Sequence, residues 1–148
     1  MNRAIRWLIL ALALVVAVPA VTAAPAAKAQ AKKHRILLQW AEGDSLGQWV
    51  MTKHVGNLLD DLGQENVQLE VITYGLATFA VTQSRPQAKF AADIEKLSQR
   101  GVVFHVCSHA MDLLGVKKEE LQPAVTPVKG AMWYIATKHS EGWQTLRP

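Results

Sequence analysis

A single cysteine, Cys107, lies between two histidines, His105 and His109, and these three side chains are the strongest candidates for chemistry. The apolar run over residues 102–107 predicts a buried strand, and Ser108 after it can cap a helix. A thiol at a helix start lies near unpaired backbone N–H groups and the positive end of the helix dipole, which favour the thiolate. The pattern predicts Cys107 as a nucleophile, persulfide carrier or redox sensor, with the histidines as cationic or proton-relay partners.

Two other interpretations of Cys107 stay open from the sequence. Free cysteine is among the most buried residue types, so the thiol can also be a small apolar group that only packs. The pattern His105-x-Cys107-x-His109 also offers three metal ligands, with His54 and His139 as candidates for a fourth. Zinc ligands usually come in pairs from turns, and three residues spanning a strand end do not share a face. We therefore predict no metal and no other cofactor.

Several common catalytic signatures are absent from the sequence. The segment at residues 43–47 lacks the lysine and the spacing of a phosphate-binding P-loop, and no G-x-G-x-x-G motif follows a strand. No G-x-S-x-G elbow occurs, so serine-hydrolase chemistry lacks its usual turn. The acidic pairs Asp60-Asp61 and Glu119-Glu120 are neighbours on predicted helices, where adjacent residues do not face each other, and indicate solvated surfaces.

Strand and helix patterns alternate along the chain. Strands are predicted at residues 35–40, 67–74, 102–107 and 123–128. Ser45 and Ser108 are predicted as helix N-caps, Pro86 in the first turn of another helix, and a last helix from about Met132 to near Gly142. The first three helices are predicted to end at Gly63, Gly101 and Gly115. Residues 76–84 are predicted as a loop or short helical turn, and residues 143–148 as a tail. This order predicts an α/β fold, a three-layer α/β/α sandwich with a largely parallel sheet of four to five strands and right-handed crossovers.

Reactive groups of parallel α/β sheets collect beyond the carboxyl ends of the strands. That rule selects the segments after three predicted strands, at residues 40–45, 74–78 and 107–109. Gly43 and Asp44 in the first segment and Gly75 in the second are therefore candidate neighbours of Cys107.

The amino-terminal residues predict a secretory signal peptide. Two arginines precede an uncharged apolar run and then small residues, and of two candidate cleavage sites, after Ala23 and after Ala29, the second fits the A-x-A rule better. An uncleaved anchor is the alternative, which Pro19 and Pro25 disfavour. We predict a signal peptide at residues 1–29, one domain at residues 30–148, a periplasmic or secreted location, and no membrane attachment after cleavage.

Most of the excess of basic over acidic residues in the chain lies within residues 1–29. The sequence has 16 basic and 12 acidic residues, and three of the basic ones, Arg3, Arg6 and Lys28, lie within residues 1–29. The remaining 13 basic residues against 12 acidic ones give a net charge of +1 after cleavage. Nucleic-acid binding needs clustered basic residues on the folded part, so no nucleic-acid partner is predicted.

Longer stretches of this chain resemble the DsrE/DsrF-like (YchN-like) family. The likeness rests on VFHVCSHAM at residues 103–111, VKKEELQP at 116–123, VKGA at 128–131 and the closing GWQTLRP at 142–148. Asn57 in the first helix and Tyr74-Gly75 after the second strand support it.

The resemblance implies an α/β/α domain that assembles into homo-oligomers, as trimers or hexamers. It also implies that Cys107, at the family's cysteine position, carries persulfide sulfur between donor and acceptor proteins. His105, Ser108, His109, Gly43, Asp44, Asn57 and Gly75 are the predicted supporting residues. The chain departs from the family pattern at His109 and Ala110, where exported members typically have Asn and then Thr. A non-catalytic ligand-binding or assembly module, in which Cys107 only packs, is the alternative function.

Overall fold

A computed structural model describes residues 33–148 of the protein. The elements in chain order are β1 His34–Trp40, α1 Ser45–Leu62, β2 Val67–Thr73, α2 Ala91–Gln99, β3 Val103–Cys107, α3 Ser108–Leu114, β4 Val125–Val128, α4 Ala131–Ser140 and β5 Gln144–Leu146. Short 3₁₀ segments lie at Gln64–Asn66, Gly75–Val81 and Lys118–Glu120. The predicted signal peptide at residues 1–29 lies outside the described residues. No helix among the described ones is long and apolar enough to cross a membrane.

Within residues 33–148, five strands form one parallel sheet in the order β4-β3-β2-β1-β5. β1 pairs with β2 from His34 opposite Val67 to Trp40 opposite Thr73. The first four strands are added in one direction, and α4 then carries the chain back across the sheet to β5, which pairs with β1. The predicted three-layer α/β/α sandwich with a largely parallel sheet is confirmed.

Alternate strand residues divide the core between the two faces of the sheet. In β1, Ile36, Leu38 and Trp40 pack with apolar residues of α1, α2 and α3, whereas Leu37 packs on the other face with residues of α4. Both faces are therefore covered, which explains the nearly unbroken apolar run in β1. Each fully buried aliphatic side chain stabilises the fold by about 1.5–3 kcal/mol relative to exposure.

The predicted tail at residues 143–148 instead contains β5. Trp143 is buried in the smaller core with Leu37, and the cationic groups of Arg35 and Lys138 lie 5.9 Å and 4.2 Å from the centroid of its ring. This anchor brings residues 144–146 beside β1, where they complete the sheet edge. A three-residue strand has too little alternation to be recognised from its sequence.

The second long helix was predicted to begin at Pro86, and this prediction is wrong because α2 begins at Ala91. The buried Gln48 side chain donates to the Gln87 carbonyl and accepts a hydrogen bond of 3.1 Å from the Lys89 N–H. These bonds satisfy the backbone of the preceding turn without helical partners, so the helix starts later.

Two helix caps lie one residue earlier than predicted. Asp44, and not Ser45, caps α1 by accepting hydrogen bonds of 3.0 Å from the N–H groups of Leu46 and Gly47. Cys107, and not Ser108, occupies the N-cap position of α3. The second difference matters for chemistry because the residue that carries the thiol itself occupies the N-cap position of α3.

Candidate functional site

The sulfur of Cys107 lies at the start of two helices. Cys107 ends β3 and occupies the N-cap position of α3. Its Sγ also accepts a hydrogen bond of 3.3 Å from the backbone N–H of Ala131, the first residue of α4. Backbone N–H groups at helix starts carry partial positive charge, and the Ala131 N–H is the one directed at the sulfur, because the Cys107 side chain makes no capping hydrogen bond to α3.

Cys107 lines an open cavity of about 430 Å³ at the carboxyl edge of the sheet. The cavity is lined by Tyr74, Gly75, Cys107, His109, Ala110, Leu113, Gly130, Ala131, Met132 and Trp133. Cys107 itself is only 7% exposed, but it is not sealed in the core because the cavity reaches it. The cavity is therefore the route by which a small reagent would approach the sulfur, as nucleophilic chemistry requires.

Three large apolar side chains form an exposed rim around this cavity, which we call the apolar rim. Leu113 of α3 is 86% exposed, and Met132 and Trp133 of α4 are each 62% exposed. Their exposure is unusual because a folded protein normally buries such side chains, and clustered apolar residues mark interaction sites. The apolar rim therefore gives the cavity a surface suited to contact with another apolar surface.

His109 is the basic side chain of the cavity wall. It is exposed in the first turn of α3, and the residue facing it is Gly130 at the start of α4. A Cβ atom on Gly130 would lie 3.4 Å from the His109 Nδ1 and Cε1 atoms, so the ring already rests close against this glycine. An imidazole in this position can give or accept a proton near the sulfur.

His105 points to a different environment, a polar cluster between the sheet and α4. The Tyr134 hydroxyl donates to Glu70 Oε2 at 2.5 Å and lies 2.9 Å from His105 Nε2, while Lys138 Nζ donates to Glu70 Oε1 at 2.8 Å. Because Tyr134 gives its proton to Glu70, Nε2 of His105 must act as the donor to the tyrosine oxygen. We call Glu70, His105, Tyr134 and Lys138 the Glu70 cluster.

The Glu70 cluster keeps its carboxylate ionised despite burial. Burial raises the pKa of Glu70, but hydrogen bonds from His105, Lys138 and Tyr134 outweigh it and lower the pKa to about 2. Burial, together with the hydrogen bond to that carboxylate, raises the pKa of Tyr134. The cluster is thus a charged, hydrogen-bonded connection between β2, β3 and α4, and its members are largely covered.

The glycines predicted to accompany Cys107 have structural roles at the same edge. Gly75 has a φ of +56°, which favours glycine, and it lines the cavity at the end of β2. A Cβ atom on Gly43 would lie 2.6 Å from Leu76 Cβ, so this glycine allows the turn after β1 to pack against the segment that follows Gly75. Asp44 caps α1, and hydrogen bonds from the Gly47 and Leu46 N–H groups lower its pKa.

Five of the seven predicted supporting residues do not line the cavity: His105, Gly43 and Asp44, described above, and Asn57 and Ser108. Asn57 is exposed on α1 and borders a separate surface depression with Asp60 and Arg100, so the structure does not bring it to Cys107. Ser108 is the first residue of α3 and is not among the lining side chains. The helical turn that begins at Ser108 carries His109 and Ala110 into the cavity wall.

The possible His-Cys-His metal site is not assembled. Within residues 33–148, no group of three or more His, Cys, Asp or Glu side chains is arranged to hold a metal ion. His105 contacts the Glu70 cluster, whereas His109 lies in the cavity wall against Gly130. Side chains alternate between the two faces of the sheet along β3, and the chain turns where α3 begins. The rings of His105 and His109 therefore lie in different surroundings.

Sequence reasoning missed the Ala131 N–H and most of the Glu70 cluster. A backbone donor has no side-chain signature, so Ala131 gave no signal. Glu70 did leave one, because a carboxylate within the alternating strand pattern of residues 67–72 indicates a face that is not purely apolar. Tyr134 and Lys138, at i and i+4 of a helix, are the matching polar stripe.

Comparison with known proteins agrees with this architecture. MTH1491 from Methanobacterium thermoautotrophicum, a solved protein of unknown function, is 25% identical with a TM-score of 0.72, covering 78% of this chain and 100% of that one. The YchN protein of E. coli is 18% identical with a TM-score of 0.62, covering 79% of this chain and 99% of that one. The second likeness shows the fold alone. No significant match is found among curated proteins.

The fold and the site define a parallel α/β sandwich protein with a cysteine at the carboxyl edge of its sheet. The family model described as the DsrE/DsrF-like family matches residues 20–148. The chain belongs to the DsrE/DsrF-like family.

Proposed function

We propose that this protein handles sulfane sulfur as a persulfide on Cys107, in a sulfur relay or a sulfurtransferase-like reaction. One observation carries the proposal: Cys107 Sγ accepts the Ala131 N–H hydrogen bond at the wall of an open cavity. A backbone N–H donor supports negative charge that develops on the sulfur during reaction, and the cavity offers a sulfur donor a route to it. Membership of the DsrE/DsrF-like family is consistent with a relay of this kind.

The transfer needs no oxidant. The Cys107 thiolate attacks the outer sulfur of a donor persulfide, R–S–SH. A sulfur–sulfur bond to Sγ forms as the donor's sulfur–sulfur bond breaks, and the electron pair leaves with R–S⁻. The product is Cys107–S–SH, whose outer sulfur is passed to an acceptor thiolate by the same exchange. His109 lies in the cavity wall, where it can exchange the proton with the leaving thiolate or the persulfide.

We propose that donor proteins deliver this sulfur to Cys107 and that acceptor proteins take it away. The cavity wall is mainly apolar, and no Lys or Arg side chain is among the residues that line it in the described part of the chain. Desolvating a small inorganic dianion such as polysulfide against such a wall is costly, so it loads sulfur only when supplied in excess, whereas a persulfide on a protein surface brings apolar contacts of its own. The apolar rim supports both such docking and the proposed homo-oligomer, a trimer or hexamer.

Sulfur loading is tested directly on the native protein. We expect the domain at residues 30–148, exposed to polysulfide and desalted, to gain about 32 Da, the mass of one sulfur atom, and to lose it on reduction. Cys107→Ala, which removes the acceptor but is small enough for the site, is the control and should gain no mass. A wild-type protein that keeps its original mass after exposure, with an accessible thiol, contradicts the proposal.

The proposed setting is outside the cytoplasm, because the sequence predicts an export signal at residues 1–29. Mass analysis of the mature protein from its host measures this directly. We expect an amino terminus at Gln30, and a chain still beginning at Met1 contradicts the proposed export.

A non-catalytic binding or assembly module is the second candidate function. The observation in its favour is that Cys107 is only 7% exposed and packs with Leu37, Ile72 and Ala131. In that case Cys107→Ala should leave assembly and ligand binding intact, and the wild-type protein should carry no removable sulfur.

A further inference from the structure

We propose that the Glu70 cluster is a positioning device, which fixes the start of α4 so that the Ala131 N–H stays on the sulfur of Cys107. The inference deepens the proposed function and rests on it. None of Glu70, Tyr134 and Lys138 lines the cavity, so their effect on the thiol acts through α4.

The Glu70 cluster bonds to the same turn of α4 that carries the Ala131 N–H. Tyr134 is three residues after Ala131, and its backbone N–H donates to the Gly130 carbonyl at 3.0 Å, which closes the first turn of α4. Its hydroxyl is held from the sheet side by Glu70 and His105. Lys138 holds the next turn through Glu70. Rotation or sliding of α4 would therefore break these bonds at the same time as the Ala131 contact with sulfur.

The contacts near the sulfur do not fix this geometry alone. Ala131 offers only a methyl group to the smaller core, and its neighbours Met132 and Trp133 are exposed. Hydrogen bonds have directional preferences that apolar packing lacks, so the Glu70 cluster is the part of the α4 interface able to set helix rotation. The charge on the half-buried Glu70 carboxylate makes each of its hydrogen bonds stronger than a neutral one.

Other titratable groups near Cys107 do not belong to the Glu70 cluster. Tyr74, which follows β2, and His109 of α3 line the cavity, and neither bonds to Glu70, Tyr134 or Lys138. His105 is the member shared with β3, the strand that ends at Cys107. A change of thiol reactivity in variants at Lys138, which bonds to Glu70 and not to His105, therefore reports on α4.

The test measures the alkylation rate of Cys107 against pH, together with hydrogen exchange of the Ala131 amide. We expect Tyr134→Phe and Glu70→Gln to displace the rate profile to higher pH, to lower the rate at pH 7 by about threefold to tenfold, and to speed Ala131 exchange. Lys138→Arg, which keeps the charge, should stay near the wild type, while Lys138→Met should follow Tyr134→Phe.

Glu120→Gln is the matched control. Hydrogen bonds from Arg85 and the Lys117 backbone lower the pKa of Glu120 to about 2, as in Glu70, but these partners lie outside α4. Its rate profile should equal that of the wild type. If Glu70→Gln does not fold, Tyr134→Phe, which keeps the ring, carries the test.

The outcomes separate the two proposals. Wild-type profiles in folded Tyr134→Phe and Lys138→Met, with a wild-type protein that loads sulfur, overturn the positioning role and leave the persulfide function standing. A wild-type Cys107 that neither loads sulfur nor alkylates overturns both.

Discussion

The backbone N–H of Ala131 donates to the sulfur of Cys107 across a separation of 24 residues in the chain. The two residues belong to different crossovers: Cys107 ends β3, and Ala131 begins the helix after β4. The sulfur is therefore flanked by the starts of α3 and α4, although the sequence around Cys107 indicates only α3.

Removing the Ala131 N–H should slow the reactions of Cys107 without unfolding the protein. Ala131→Pro replaces the donor at the first position of a helix, where proline is tolerated, and the preceding Gly130 is extended as proline requires. The proline Cδ takes the direction of the lost N–H, so the Cys107 side chain must turn away from it. We expect the alkylation rate at pH 7 to fall by about threefold to tenfold. Ser45→Pro makes the same change at the first position of α1, also after an extended residue, and should leave the rate unaltered. Equal rates in Ala131→Pro and wild type would show that the donor is dispensable.

Stability should depend on Glu70 in a pH-dependent manner. The pKa of Glu70 is about 2 in the folded protein against the ordinary glutamate value of 4.5, so its contribution to stability is fully present above about pH 4.5 and is lost as the pH falls towards 2. Glu70→Gln should lower the free energy of unfolding by about 2–3 kcal/mol at pH 7, with the difference from wild type shrinking below pH 4.5. Urea denaturation at pH 7 and pH 3 measures it. A difference that is the same at both pH values contradicts the prediction.

Two glycine substitutions should have opposite effects on stability. Gly43→Ala would put Cβ 2.6 Å from Leu76 Cβ and 2.7 Å from the Leu76 carbonyl oxygen, so we expect a loss of about 1–3 kcal/mol. Gly56→Ala lies inside α1 with no atom within 4 Å of the new Cβ, and should gain about 0.5–1 kcal/mol. Thermal unfolding of both variants checks the pair. A Gly43→Ala protein as stable as wild type would mean that the Leu76 segment moves freely.

The apolar rim should control self-association. Leu113 is 86% exposed, so Leu113→Asp should keep the unfolding temperature while disrupting an apolar contact between copies. We expect light scattering after gel filtration to give the mass of a trimer or hexamer for wild type and a smaller mass for Leu113→Asp. Leu46→Asp, at a leucine 67% exposed outside the cavity wall, is the control and should retain the wild-type mass. An unchanged mass for Leu113→Asp contradicts a role of the rim in assembly.

The local features of the fold were predictable because they depend on neighbouring residues. Apolar runs located the first four strands, and glycines marked the ends of α1 and α3. Cys107 was expected at a strand-to-helix junction, and it lies there. The start of α2 was not predictable, because the side chain of Gln48, 39 residues before Gln87, decides it.

The candidate site was predictable only in part for the same reason. Gly75 and His109 follow strand ends and were expected beside Cys107 from topology alone, and both line the cavity. The bonds of Glu70 to Tyr134 and Lys138 join residues separated by 64 and 68 positions. No local pattern encodes such pairs, since they depend on how α4 crosses the sheet. Asn57 was included by resemblance, and its place on α1 keeps it away from Cys107.

The return of α4 across the sheet ties the carboxyl terminus to the sulfur. β5 is held to the far edge by Trp143, and the same helix that leads to it presents the Ala131 donor at its other end. A tag fused after Pro148, or removal of the last few residues, would therefore disturb β5 and, through it, the position of α4, which carries the donor to the Cys107 sulfur. Reactivity measurements on this protein are best made with any tag at the opposite terminus.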